Sequence, residues 1–491
     1  MKKYISIITL VFITGMAGCK KTYLDQEVNP DFPSVTTPQY TLAGAEESSA
    51  AILTLDYPEY GEWGGIWCFS GSYTPDAQFQ EFAVSITVPP QPNDAWGDLY
   101  SNLTNYNNLQ VSSEAVPADA NFEAIAMIMK AFDFEQLVDN YNNVPYTQAF
   151  QPATKLFPAY DTGQSIYNDL VKQLDAAISL ISKSGASATN PGTSDIIYGG
   201  NMTNWQIFAN TLKLRLAIRQ SNLSTNTAQA DLASTASIGY IGVATEADCQ
   251  PGYSNALGKE NPFYAIYGFD QNGNPGAGYE TQRSNIVASN LMKSLNDPRD
   301  SAYYQTVNGA INALQLGNPQ NASNAVSSPL GPGIIKSPEQ PSIIFSAYES
   351  LFLQAEAVAR GWIPGSAAAL YNAGITASFN AVNAQGPVAA YLAQPAVAYP
   401  AGGTLNQQVK AIITQKYISL NSYFNLENYN EFRRTGYPVL PQNPASQDPA
   451  AVSQTLPLRI PYPLSELNTN PANLALQGNI DIFTSKIFWA Q

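Results

Sequence analysis

The chain has 491 residues, 45% of them apolar, enough for one large hydrophobic core or two moderate ones. Only 12% are charged, about half the usual share, and the net charge of −15 argues against a phosphate-tracking groove and so against nucleic acid as a partner. No histidine is present, which excludes Ser-His-Asp and Cys-His catalysis and every His-ligated metal site.

The polar surface must therefore come mostly from Asn, Gln, Ser, Thr and Tyr, which suit neutral polar ligands better than ionic ones. The sequence contains no metal motif and gives no reason to expect a cofactor. Residues 1–18 carry Lys2 and Lys3, an apolar run from Tyr4 to Ile13, and small residues up to Gly18. That is a signal segment with a processing site, too short to cross a bilayer as a helix. Cys19, straight after Met16-Ala17-Gly18, is similar to the cysteine of a bacterial lipobox, whose thiol and new amino group become acylated. Two or more acyl chains would make Cys19 a stable membrane anchor. Residues 19–38, with Pro30, Pro33 and Pro38, read as the lipidated start and tether. Residues 39–491 read as one domain. Cys68 and Cys249 are either a disulfide or two buried thiols.

Beyond the tether, apolar residues recur at helical spacing. Phe122, Ile125, Met129 and Phe132 form one stripe, and Ile166, Leu170, Leu174, Ile178 and Ile181 another. Trp96 and Tyr100 are four apart, which favours core packing. Ser346 with Glu349, Thr404 with Gln407 and Thr203 with Gln206 fit the capping box, and Asp161 with Gln164 is a looser version. Gly361, Asp297-Pro298 and Gly436 with Pro438 mark stops. The helices come in pairs, 346–360 with 366–383 and 404–421 with 423–434, which suggests tetratricopeptide-like hairpins.

Between the pairs lie long segments rich in Gly, Asn and aromatics, and loops of this length are usually functional or disordered. "YPEYGEWGGIWCFSGSYTPDAQFQEF" sets Trp63, Trp67 and Tyr73 among glycines, followed by Asp76 and Gln78. Flat rings match the C–H face of a pyranose while amides and carboxylates pair with its hydroxyls, and glycines let rings stand out from a loop. The same rings would serve equally as a small core beneath the loop. "NPFYAIYGFDQNGNPGAGYE" repeats the composition with Tyr267, Phe269, Asp270, Asn272 and Tyr279, and its Asn-Gly and Asn-Pro pairs mark an exposed tip. Arg283 and Asn285 follow at a helix start, where they either touch a ligand or simply cap the helix or face solvent.

Glu427, Glu431, Arg433 and Arg434 invite a glycosidase reading, which needs two carboxyls across a cleft. Their i, i+3 and i, i+4 spacing fits a helix-end ion network better. Glu349 and Glu356 read the same way, and Arg215 with Arg219 as anchors of loops to the scaffold.

"YLDQEVNPDFP", "FEQLVDNYNNVPYTQAF", "YDTGQSIYNDLVKQLDAAISLI", "WQIFANTLKLRLAIRQS", "LNDPRD", "LFLQAEAVARGWIPG", "ITQKYISL", "NEFRRTGYP" and "RIPYPLSELNTNPAN" occur in an order that resembles the SusD/RagB family of Bacteroidetes outer-membrane nutrient-binding lipoproteins. The resemblance covers nearly the whole chain. It implies a mostly α-helical SusD-like fold with about four tetratricopeptide-like hairpins, long aromatic-rich loops and minor strand content. It also implies a lipid-anchored protein at the cell exterior with no enzymatic activity. Such a protein captures oligosaccharide and passes it to a SusC-like TonB-dependent barrel transporter. The RagB side of the family offers a peptide as the alternative ligand. "CKK" after the cleavage site departs from the acidic run often seen near surface-export signals.

Overall fold

The hairpin pattern read from the sequence is present. The computed structural model describes residues 36–55, 57–73, 95–151, 153–318, 320–440 and 455–491. The signal segment, Cys19, all but the end of the tether, Asp76 and Gln78 lie outside the described residues.

Eight helices pair into four hairpins: α1 (Ala95–Glu114) with α2 (Ala120–Tyr141), α3 (Gly163–Ser184) with α4 (Met202–Arg219), α5 (Ala347–Ala359) with α6 (Ala367–Ala381), and α7 (Leu405–Ser419) with α8 (Asn425–Thr435). Each hairpin leaves an apolar face that a neighbour must cover. Accordingly α2 packs on α3, α4 on α5, and α5 on α7. All nine residues of the two predicted stripes are buried. Trp96 meets Tyr100 at 5.0 Å and Tyr141 at 4.9 Å inside the core.

The predicted caps hold at two of four starts. Thr404 and Gln407 make the full reciprocal box at α7. Ser346 accepts from the Glu349 N–H at 3.2 Å, but the Glu349 side chain turns to Arg215 instead of reaching back. Asn201, not Thr203, caps α4, and Thr162, not Asp161, caps α3. Asp161 lies in a strand and accepts from the N–H groups of Tyr146 and Thr147.

Strand content is minor. β1 (Trp67–Phe69) pairs antiparallel with β5 (Gln282–Ser284), β2 (Val144–Pro145) with β3 (Tyr160–Asp161), and β4 (Ala247–Cys249) with β6 (Ser342–Phe345). One cluster of buried hydrophobic residues runs from Leu42 to Trp489. Cys68 and Cys249 are both buried free thiols, so the disulfide alternative is not realised.

Within that core lies a network of opposite charges. Arg215, Arg219, Arg360, Lys416 and Arg434 meet Glu135, Asp139, Glu349, Glu356, Glu427 and Glu431. Lys416 donates to Glu427 and Glu431 at 2.7 Å each, and Arg434 reaches Glu356 at 2.7 Å and Glu431 at 2.5 Å. The network ties α2, α4, α5, α7 and α8 together. Arg215 and Arg219 thus join helices to helices, not loops to the scaffold as expected.

Burial also raises several carboxyls. Glu59 is pushed up to about 8 by desolvation, Glu349 to about 7 by desolvation and the Glu427 charge, and Asp248 and Asp300 to about 6, chiefly by desolvation. Their unfolded values are about 4, so the folded chain binds more protons between about pH 4 and 8. Stability contributed by these groups is full below that window and is lost as pH rises through it, by up to about 1.4 kcal/mol per pH unit for each group. Burial opposes ionisation of Glu356 too, but Arg434 and Arg360 outweigh it and hold its carboxyl at about 2. Its contribution is lost only as pH falls from about 4. The thermal midpoint is therefore expected to peak near about pH 5 and to fall by several degrees by about pH 8. A scanning calorimetry series in which the midpoint rises across that interval would contradict the assignment.

Candidate ligand-binding face

The first aromatic segment folds inward. Residues Pro58–Trp63 form a short helix and Trp67–Phe69 the strand β1. Trp63 and Trp67 are each 1% exposed. Trp63 packs on Tyr60 at 5.6 Å and Tyr429 at 6.1 Å, while Trp67 lies 4.9 Å from Tyr267 and donates its indole N–H to Ser422 Oγ at 3.0 Å. These two rings, expected as a sugar-facing wall, are core. The glycines serve close packing instead of display: a Cβ on Gly61 would stand 2.8 Å from the Trp67 ring and 2.9 Å from Asn425 Nδ2. Hydrophobic transfer drives such rings inward unless backbone geometry prevents it, and here glycine removes the obstacle.

Tyr267 is likewise buried, between Trp67 and Phe263. Arg283 is 4% exposed and lies in β5. It donates to the carbonyls of Tyr279 and Gln282 at 2.7 Å and to Ser327 Oγ at 3.2 Å. Both were expected on the binding surface. Tyr267 instead supports the loop from beneath, and Arg283 fixes its backbone. Asn285 caps the helix Ile286–Ser294 and donates to the Trp67 carbonyl.

What reaches the surface is smaller and lies above this floor. Phe269 and Pro275 form an antiparallel bridge that closes a tight hairpin, with Asp270, Asn272 and Asn274 at its tip. Hydrogen bonds from the Asn274 side chain and N–H, and from Asn272, hold the Asp270 carboxyl below its ordinary value. Phe269 and Tyr279 are half-buried, and their rings pair at 4.6 Å. Tyr73 is 42% exposed and donates to Glu280 Oε2 at 3.1 Å, and that hydrogen bond raises its phenol above the ordinary value. Gln305 Nε2 donates to the Tyr279 hydroxyl at 3.2 Å.

The Tyr73 loop is held by backbone contacts. Ser70 N–H donates to the Thr281 carbonyl and Gly71 N–H to the Ala322 carbonyl, each at 2.9 Å. A Cβ on Gly71 would stand 1.9 Å from the Asn321 carbonyl oxygen, so only glycine fits. The structure thus brings Tyr73, Phe269, Asp270, Asn272 and Tyr279 onto neighbouring loops. Sequence reading missed Glu280 and Gln305, whose places depend on contacts with residues remote in the chain.

Glu427 and Glu431 do not face a sugar-sized cleft. Both are buried on Lys416, and the cavity touching Glu427 measures only about 30 Å³, room for no more than a few waters. Among the described residues no group of His, Cys, Asp and Glu could hold a metal ion, and no helix is long and apolar enough to cross a membrane.

A scaffold of helix hairpins that presents part-exposed rings and neutral amides on clamped loops has the make-up of a ligand-capturing protein. The chain belongs to the SusD-like family: residues 69–463 match the family described as starch-binding and associating with the outer membrane. Similar solved structures include a SusD homolog from Bacteroides uniformis, 24% identical with a TM-score of 0.72, covering 92% of this chain and 99% of that one. A SusD-like protein from Bacteroides thetaiotaomicron is 22% identical with a TM-score of 0.71, covering 91% and 98%. A chitin-binding SusD homolog from Flavobacterium johnsoniae is 23% identical with a TM-score of 0.73, again covering 91% and 98%. At these identities the likeness shows the shared fold. The comparison with curated proteins gives no match.

Proposed function

We propose that this protein captures oligosaccharide at the face built by Tyr73, Phe269 and Tyr279, and hands it to a SusC-like TonB-dependent barrel transporter. In this reading acylated Cys19 anchors residues 39–491 to the outer membrane, facing outward, and the chain performs no chemistry of its own. The observation that carries the reading is the Phe269–Tyr279 ring pair, half-exposed beside Asp270, Asn272 and Gln305 in a chain of this family. Rings stack on the apolar face of a sugar while the neighbouring amides and carboxylates take its hydroxyls. The family description and the Flavobacterium relative make starch- and chitin-derived oligosaccharides the first ligands to test.

Replacing both Phe269 and Tyr279 with alanine is expected to weaken oligosaccharide binding by roughly tenfold, taking about 0.5–1.5 kcal/mol for each ring. The thermal midpoint should barely move. Calorimetric titration of wild type and variant checks this, and unchanged affinity in the variant would remove the face from the reading.

A further inference from the structure

A second pocket opens on the scaffold itself, between α1, α2, α3 and the segment after β2. Its volume is about 140 Å³. Phe134, Phe150 and Leu170 give it apolar walls, and Lys130, Gln173 and Tyr146 bring polar atoms to it. Lys130, Gln173, Tyr146 and Phe150 are all partly exposed.

Lys130 is the unusual member. The other lysines buried in the scaffold hold carboxylates: Lys213 meets Asp175 at 2.5 Å, and Lys416 meets Glu427 and Glu431 at 2.7 Å. Lys130 instead donates to two neutral amide oxygens, Asn107 Oδ1 at 2.9 Å and Gln110 Oε1 at 3.0 Å, and stands 5.2 Å above the Phe150 ring. Among the described residues no carboxylate lies within ion-pair distance of it. Desolvation pushes its ammonium down to about 8, so it remains charged at neutral pH without a counter-ion. Asp169, the acid that touches the lining, already accepts from the Tyr146 hydroxyl at 2.7 Å and from Gln173 Nε2 at 3.4 Å.

An ammonium has three donors, and a desolvated cation gains most from an anion. We infer that the pocket between α1, α2 and α3 is a binding site for a small organic carboxylate, whose charge meets Lys130 and whose apolar body lies between Phe134, Phe150 and Leu170. This site shares no residue with the loop face and does not depend on the glycan reading.

Butyrate is the probe, with butyramide as its uncharged isostere, each titrated into the purified chain and followed by ligand-observed NMR at neutral pH. Butyrate is expected to bind at least tenfold more tightly than butyramide, and Lys130→Met to abolish that preference. Ala131 also lines the pocket, and Ala131→Leu, which fills it and keeps the ammonium, is expected to weaken butyrate by a similar factor in a chain that still melts cooperatively, so the test stands even if the Lys130 variant folds poorly. Equal binding of the two probes, no butyrate binding in the wild type, or undiminished butyrate binding in Ala131→Leu would overturn the site.

Discussion

Arg219→Met is expected to destabilise the protein by about 3–5 kcal/mol, because it strips a buried network of a cation it cannot replace. Arg219 is 2% exposed. Its guanidinium donates to Glu427, lies 3.4 Å from Asp139 and 4.0 Å from Glu135, and faces the Trp489 ring at 5.2 Å. Among the described residues these ion pairs join six carboxylates to five cations, so the network has no cation to spare. Removing Arg219 leaves Asp139 with neutral donors from Tyr167, Asn430 and Trp489 but without an ion pair among the described residues. An uncompensated buried charge costs far more than the pair is worth against an apolar replacement, so the loss is larger than any surface pair would give. Urea denaturation should show a lower midpoint at an unchanged slope. Adding Glu427→Gln should recover part of the loss, with a coupling of about 0.5–3 kcal/mol. A midpoint matching the wild type in Arg219→Met would show that the network carries no stability.

Trp67→Ala is expected to cost a similar amount, about 3–5 kcal/mol, the range for deleting a large buried ring. The indole fills space against Tyr267 and Gly61, and its N–H is satisfied by Ser422. The variant would leave a cavity and a Ser422 hydroxyl that still donates to Asn421 Oδ1 at 2.7 Å but has lost the donor it accepted from. Glycan affinity, measured below the unfolding transition, should change little, since the ring does not reach the surface. This is the reverse of the expected behaviour of the Phe269 and Tyr279 double variant, which should lose ligand and keep stability. The two together distinguish floor from face. A Trp67→Ala protein that melts normally and fails to bind sugar would restore the tryptophan to the binding surface.

The helical body was legible because its information is local. The spacing of Phe122 to Phe132 and of Ile166 to Ile181, and the box at Thr404 with Gln407, concern residues within a few turns of one another, and the period of 3.6 fixes which way they point. The ion network was legible in part: the spacing of Glu427, Glu431 and Arg434 placed them on one helix as structural charges, while their partners Arg219 and Glu356 come from other hairpins and Lys416 from the facing helix α7.

The aromatic loops were not separable from sequence. "GEWGGIWCF" and "FDQNGNPGAGYE" both set aromatic rings among glycines, yet one is floor and the other reaches the surface. The amino-acid sequence determined which segments coil, the capping box at Thr404 and that no histidine chemistry is open to the chain. Only the tertiary structure decided which rings stay dry, because burial depends on what packs above a residue. For Trp67 those neighbours are Tyr267 and Ser422, from segments far along the chain, whose approach no local pattern encodes.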